Sequence, residues 1–400
     1  MLNILVYTVP FLLIISIIVT FHEYGHYSVA RLFNTRIERF SVGFGKILFR
    51  VRDKRGVEWC LSALPLGGYV KFAGDENIAS MAPSVEELEA ARASITEREG
   101  ADAVKDYFHF KPIWQRFLII LAGPVFNFIL AIGVFAVIFM AIGQQIGQPS
   151  VVSVVPGSRG ATAGFQPGDI IKSVDGHSVD TGRDVVMLVM LRSDSTFPVQ
   201  VERNHRPVVL MATPQRVTVD TGDKSQAVKG GRLGITLTDQ IEVRRLDPGS
   251  ALVAAVGETW KTLDTNLTYI SRIFVGKENG DQISGILGMT KATGDLTTKV
   301  MQAKEPPAIK ALDLGLTLMQ LIAFISIGVG FLNLLPVPAL DGGHLAFYIY
   351  QTIAGKPVSP AVQNVAFRIA VVLILGLMLY AAWNDINHIG LVSVFGKLFS

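Results

Sequence analysis

Five consecutive residues near the start of the chain, His22-Glu23-Tyr24-Gly25-His26, follow the pattern H-E-x-x-H. On a helix, residues four apart share a face, so both imidazoles can grip one metal ion. Glu23, beside the first of them, stands where a general base would take a proton from metal-activated water. A catalytic zinc uses three protein ligands and keeps a fourth position open, and this motif supplies two. The acidic residue closest to a second apolar run at matching depth is Asp341, in Asn333-Leu334-Leu335-Pro336-Val337-Pro338-Ala339-Leu340-Asp341-Gly342-Gly343-His344. His344 is the competing third ligand, further into the loop. Alone, Asp341-Gly342-Gly343 would read as an ordinary helix terminus; beside H-E-x-x-H it reads as the missing ligand. Pro336 and Pro338 free backbone groups there, as happens where a span lines a cavity. The chemistry these residues suit is hydrolysis, with one Zn²⁺ per chain.

The same residues are costly where they stand. Half of the 400 residues are hydrophobic and only 17% are charged, against about a quarter in ordinary soluble domains; the mean hydropathy is +0.42. Met1–Phe21, Phe117–Gly143, Leu314–Leu340 and Ile369–Asn384 contain no Asp, Glu, Lys or Arg. About 20 helical residues cross a bilayer core. The first three runs suffice, and Ala361–Phe367 extends the fourth behind Arg368. A carboxylate within such a span costs about 2.5–3.5 kcal/mol on insertion scales, so polar clusters there mark function. The composition excludes a purely soluble enzyme. With 36 basic against 33 acidic residues, a net +3 and no basic block, it also excludes a nucleic-acid binder. A single cysteine, Cys60, excludes internal disulfides and a Cys-rich zinc ribbon.

The expected fold is a polytopic α-helical membrane protein with four transmembrane helices, at 1–32, 113–143, 311–344 and 361–386. The first run lacks a basic leader and a small-residue cleavage site, so it reads as a retained helix rather than a signal peptide. Eight basic residues from Arg31 to Arg55 follow it. The positive-inside rule puts them in the cytoplasm and the N-terminus outside. In the cytoplasmic region 33–112, Ile37–Phe49 and Val57–Phe72 carry β-branched and aromatic residues with glycine punctuation, which suggests a hairpin or small sheet, apolar enough to dip into the membrane. Gly74–Tyr107 is an acidic insert with a capping box, Ser84-x-x-Glu87. The exported part comprises 147–215 and a connector, 216–310, with an amphipathic run at Ala251–Phe274; residues 387–400 form a tail. Strands near Val151–Val155, Val199–Arg203 and Pro207–Ala212, a turn at Asn204-His205-Arg206 and a helical period through Asp184–Leu191 make 147–215 resemble a bacterial PDZ domain (α+β). Another small β-rich domain is the alternative.

H-E-x-x-H in the first span, N-x-x-P-x-x-x-x-D-G in the third and the PDZ-like segment together resemble the site-2 protease family of intramembrane zinc metallopeptidases. Leu64-Pro65-Leu66-Gly67-Gly68-Tyr69-Val70-Lys71 and Gly123-Pro124-Val125-Phe126-Asn127 extend the likeness over nearly the whole chain. The resemblance implies that His22, His26 and Asp341 bind zinc and that Glu23 activates water. It implies that Asn127 and Asn333 position substrate, and that the region of Gly43, Gly67 and Gly68 forms a membrane-dipping β element to which an unwound substrate could add as a strand. It further implies a bacterial inner membrane setting, an active site near the cytoplasmic side and an exported PDZ domain. The implied partners are the lipid bilayer and single-span transmembrane substrates, either an anti-sigma factor or remnant signal peptides. Family members of the regulator-of-sigma-E type often carry two PDZ domains, whereas one is visible here. Two rivals remain: a membrane-anchored protease facing water, which would draw its third ligand from a polar helix, and a PDZ scaffold with a degenerate metal site. Zinc content separates the last from an enzyme.

Overall fold

The computed structural model describes residues 2–74, 85–220, 227–276 and 285–389. In chain order the elements begin with α1 (Leu2–Leu32), β1 (Ile37–Arg52), β2 (Glu58–Phe72), α2 (Val85–Glu99) and α3 (Ile113–Ala141). Then follow β3 (Gln144–Val154), α4 (Arg159–Ala163), β4 (Ile170–Val174), β5 (His177–Ser178), α5 (Gly182–Met190), β6 (Phe197–Arg203) and β7 (Arg206–Ala212). The rest are β8 (Gln215–Asp220), β9 (Ala227–Arg232), β10 (Ile235–Arg244), α6 (Pro248–Phe274), α7 (Ile286–Gln302), α8 (Pro307–Leu334), α9 (Asp341–Ala354) and α10 (Pro360–Ile389). By length and composition, α1, α3, α8 and α10 can each cross a membrane. The chain divides into two compact units, Met1–Val134 with Met289–Tyr380, and Phe135–Gly288 with Ala381–Ser400.

In the first unit the helices meet through small residues, as expected where lipid is no less apolar than a side chain. A Cβ at Gly25 of α1 would overlap the Ala122 carbonyl of α3, and one at Gly330 of α8 would lie 3.1 Å from both the Pro124 oxygen and Asn127 Cβ. Ile14, Ile18 and Ile322 fill the seam beside these contacts. Strands β1 and β2 do more than form a hairpin. Phe40 pairs with Val70 on one side and Trp59 on the other, while Val51 and Arg52 pair with Trp59 and Glu58. Each strand therefore folds on itself, and the two strands give four segments joined by three ladders, with the Gly68–Phe72 segment at one edge. Gly43 and Gly45 allow the fold in β1, with φ of 88° and 84°, a region that costs glycine nothing. Phe40 packs against Tyr27 of α1 and against Trp59, and Phe72 stacks on Phe108. Burial of each such side chain contributes about 1.5–3 kcal/mol. Outside the core, Leu48, Phe49, Leu61 and Leu64 stand exposed. Of the expected capping box, Ser84 lies outside the described residues; Glu87 is in α2.

The expected third span ran to residue 344, but α8 stops at Leu334. Leu335, preceding Pro336, is extended at φ −62°, ψ 141°, the conformation a following proline imposes. The chain then turns through Leu340 and restarts as α9 at Asp341. A Cβ at Gly342 would overlap the Leu334 and Leu335 carbonyls, and one at Gly343 the Val337 carbonyl. Two glycines after Asp341 thus let the loop fold directly onto the first turn of α9.

The second unit holds a six-stranded sheet in the order β10-β3-β4-β6-β7, with β5 on β4. Its core includes Val151, Ile171, Val174, Val185, Val199 and Val201. Asn204 and His205 both have positive φ, 50° and 61°, the two-residue geometry that matches strand twist. Strand β10, from the segment expected to be a connector, pairs with β3 from Arg244–Gln144 to Ile235–Val154. The sheet therefore extends past residue 215. Among the described residues after β10 in this unit, only helix follows.

Candidate active site

The last third of α1 carries His22 and His26 one helical turn apart, and both are buried. Asp341, the first residue of α9, faces them. His22 Nε2 lies 3.1 Å and His26 Nε2 3.6 Å from Asp341 Oδ2, and the two Nε2 atoms are 3.2 Å apart. Zinc bonds of about 2.0–2.2 Å at tetrahedral angles place ligand atoms about 3.3 Å from one another. The three atoms form such a triangle. Asp341 Oδ2 is buried and has no hydrogen-bond donor, a costly state for a carboxylate that a cation resolves. The donor set of two imidazoles and a carboxylate suits zinc.

Outer contacts orient the two imidazoles. His26 Nδ1 lies 2.9 Å from the Ile119 carbonyl of α3; a carbonyl can only accept, so Nδ1 carries the proton and Nε2 presents a lone pair. His22 Nδ1 lies 3.2 Å from the Asn127 amide nitrogen, while Asn127 Oδ1 is buried without a partner. Half a turn of the amide brings Oδ1 onto His22 Nδ1–H, satisfies both groups and frees His22 Nε2 for a metal. Asn127 is itself fixed, fully buried, with Ser326 Oγ of α8 donating to its carbonyl at 2.8 Å. Gly123, one turn before it, lies against the imidazoles: a Cβ there would overlap the His26 ring and come within 2.9 Å of His22 Cε1.

Glu23 points from α1 toward the edge segment of β2. A Cβ at Gly68 would sit 3.3 Å from Glu23 Cγ and 2.6 Å from the Ser41 carbonyl, so only glycine fits between Glu23 and β1. Gly67 occupies the next position, against the Phe44 ring. Of the expected site residues, the structure brings His22, Glu23, His26, Asp341, Asn127 and Gly68 together, with Gly67 beside them. Asn333 is half-buried in the last turn of α8, and among the described contacts it makes no hydrogen bond to the triad. His344 follows one turn after Asp341 and is not part of the triangle. Sequence reasoning missed the Ile119 carbonyl, for which no side-chain signal exists. It also missed the direct contact of Gly123 with both imidazoles, although the glycine itself was in view.

Similarity to known proteins bears on this site. The family model described as Peptidase family M50 matches residues 10–377. Metalloprotease MmpA of Caulobacter vibrioides is 45% identical over 402 residues, covering 100% of each chain. Proteins named as candidate zinc metalloproteases are similar too: one from Agrobacterium fabrum, 39% identical over 96% of each chain, and one from Mesorhizobium japonicum, 38% identical over 94% of this chain and 98% of its own.

Proposed function

The chain belongs to peptidase family M50, the site-2 protease family, and is a multi-pass membrane zinc metalloprotease; from that premise we propose that His22, His26 and Asp341 hold one zinc ion and that Glu23 is its general base. The observation that carries this assignment is the triangle of ligand atoms, 3.1, 3.2 and 3.6 Å on its sides, buried at the end of an apolar helix. Zinc bound there would supply a Lewis acid that polarises a scissile carbonyl and makes water nucleophilic near neutral pH. The residues of the chain do the rest. Glu23 takes the proton of the attacking water and returns it to the leaving amine. Ile119 and Asn127 hold the imidazoles in one tautomer, and the apolar walls of α1, α3 and α8 keep bulk water out.

The substrates are single-span transmembrane segments, of the anti-sigma factor type or remnant signal peptides. A helix hides its amides in internal hydrogen bonds, so it must unwind before cleavage. The Gly68–Phe72 edge, whose outer backbone groups no described strand pairs, lies beside Glu23 and offers those bonds to an incoming strand. Gly67 and Gly68 keep that edge free of side-chain bulk, and Asn333 lines the approach from α8. Exposed Leu48, Phe49, Leu61 and Leu64 suit a β element dipping into lipid. The 147–215 segment is an exported PDZ domain, the N-terminus is periplasmic, and the active site lies near the cytoplasmic face of the bacterial inner membrane. The test is Glu23→Gln. The variant should keep its zinc and lose cleavage of a membrane-spanning reporter in proteoliposomes; wild-type cleavage by it would overturn the mechanism.

A further inference from the structure

A second polar site lies where α1 leaves its apolar stretch. Arg31, Asn34, Thr35, Arg36, Arg55 and Asp106 line a cavity of about 280 Å³. That is at the small end of the roughly 300–1,000 Å³ typical of ligand sites, so it suits a compact headgroup rather than a peptide. Three guanidinium groups converge on it against one carboxylate. Arg36 is already engaged, paired with Glu99 and donating to the Tyr107 hydroxyl at 3.3 Å. Asp106 has Lys111 Nζ at 4.0 Å. Among the described residues, the Arg31 and Arg55 guanidinium groups make no direct ion pair or hydrogen bond; Arg31 leans over the Tyr27 ring, 6.0 Å from its centroid, and the Asp53 carboxylate feels its charge from beyond contact. A second observation points the same way. Thr35, one of the lining residues, is 2% exposed, and its hydroxyl is buried without a hydrogen-bond partner. Two unpaired arginine forks and an unsatisfied hydroxyl in one recess form an acceptor-seeking site, and guanidinium geometry favours a phosphate's paired oxygens.

The level of the cavity identifies the source of that phosphate. The apolar stretch of α1 spans Leu5–Leu32, so Arg31 sits in its last turn. Trp114, at the opposite start of the α3 span, packs edge-on against Phe33 at 5.2 Å and is largely exposed, as aromatic residues are at the headgroup level. We propose that this cavity binds the phosphate of an anionic phospholipid headgroup, anchoring the end of α1 that carries H-E-x-x-H to the membrane surface. Basic pockets beside spans recognise anionic lipids in this way, and each arginine near such a surface is worth about fivefold in affinity.

Native mass spectrometry of the full-length detergent-solubilised protein, titrated with phosphatidylglycerol or phosphatidylcholine, tests the proposal. The wild type should retain phosphatidylglycerol in clear excess over phosphatidylcholine. Arg31→Gln or Arg55→Gln should lower that excess about fivefold, and the double variant about 25-fold. Arg206→Gln, on strand β7 and not among the lining residues, should leave it unchanged. Arg31→Lys with Arg55→Lys keeps the charge, removes the fork and should fall between. Zinc content reports that each variant is folded. Equal retention of the two lipids by the wild type overturns the proposal without recourse to any variant. Unchanged phosphatidylglycerol retention in the folded double variant also overturns it, as would binding of inorganic phosphate with no lipid preference.

Discussion

Gly123→Ala is the smallest change that should empty the metal site. A Cβ at this position would overlap the His26 ring and stand 2.9 Å from His22 Cε1. Carbon atoms rest at about 3.5–4.0 Å, so His22 alone must withdraw by about 0.6–1.1 Å, and His26 by more. Metal ligands tolerate about 0.2 Å of error, so neither imidazole could retreat and still close the triangle with Asp341. Altered outer contacts alone typically cost 10–100-fold in metal affinity; displacing two ligands together should exceed the top of that range. The matched control is Gly133→Ala, ten residues on in the same helix, where an added methyl meets nothing within 4 Å. Zinc affinity is read by competition with a calibrated chelator, and proteolysis by cleavage of a reporter in liposomes. The Gly133 variant should match the wild type in both. If Gly123→Ala also bound zinc within threefold of the wild type, the placement of the two histidines described here would be wrong.

Three other outcomes follow from the same contacts. Asn127→Ala removes the group that orients His22 and should weaken zinc binding about 10–100-fold, while leaving the His26 to Ile119 contact intact; unchanged affinity would show that His22 needs no such partner. Asp169 is wholly buried, held by Arg203 at 2.7 and 2.8 Å and by the Gln166 amide at 2.9 Å. Its replacement by alanine should cost about 3 kcal/mol in chemical denaturation, the low end for a broken buried pair because Arg203 is partly exposed. Hydrogen bonds from Arg39, then Arg52, hold the Glu58 carboxyl below the usual carboxylate range. A lowered folded-state value means stability is present above the unfolded pKa of about 4.3 and lost as pH falls through the folded one. The melting temperature should therefore drop on acidification below pH ~4.3, and less steeply in Glu58→Gln; parallel acid limbs would refute the assignment.

The convergence of His22, His26 and Asp341 is legible in the sequence because its signal is local or nearly so. Four-residue spacing on a helix fixes His22 and His26 regardless of the rest of the fold, and Asp341 stood out as the acidic residue beside a second apolar run. The break before it was less legible. Apolar composition continues to Leu340, and hydropathy does not distinguish a helix from an extended segment, so composition carries the third span past the end of α8 and into the first turn of α9. Strand β10 left a period-two trace, Ile235-Thr236-Leu237-Thr238, which went unread beside the longer apolar patterns. The double pairing of β1 could not be read at all, since nothing in Phe40 says that both Trp59 and Val70 flank it. Gly123 shows the general difficulty: what a glycine is for depends on what stands opposite, here two imidazoles from another helix.

The position of Asp341 has a consequence for how the protein comes into being. His22 and His26 emerge from the ribosome more than three hundred residues before the aspartate that completes their site. At about 5–20 residues per second, the nascent chain spends roughly 15–65 s with His22, Glu23 and His26 but without Asp341. On the proposed ligand set, a newborn chain should therefore be inert toward the membrane proteins being inserted around it. With Asp341 as the proposed third ligand, hydrolytic competence should arrive only when α8 is in place and α9 has begun.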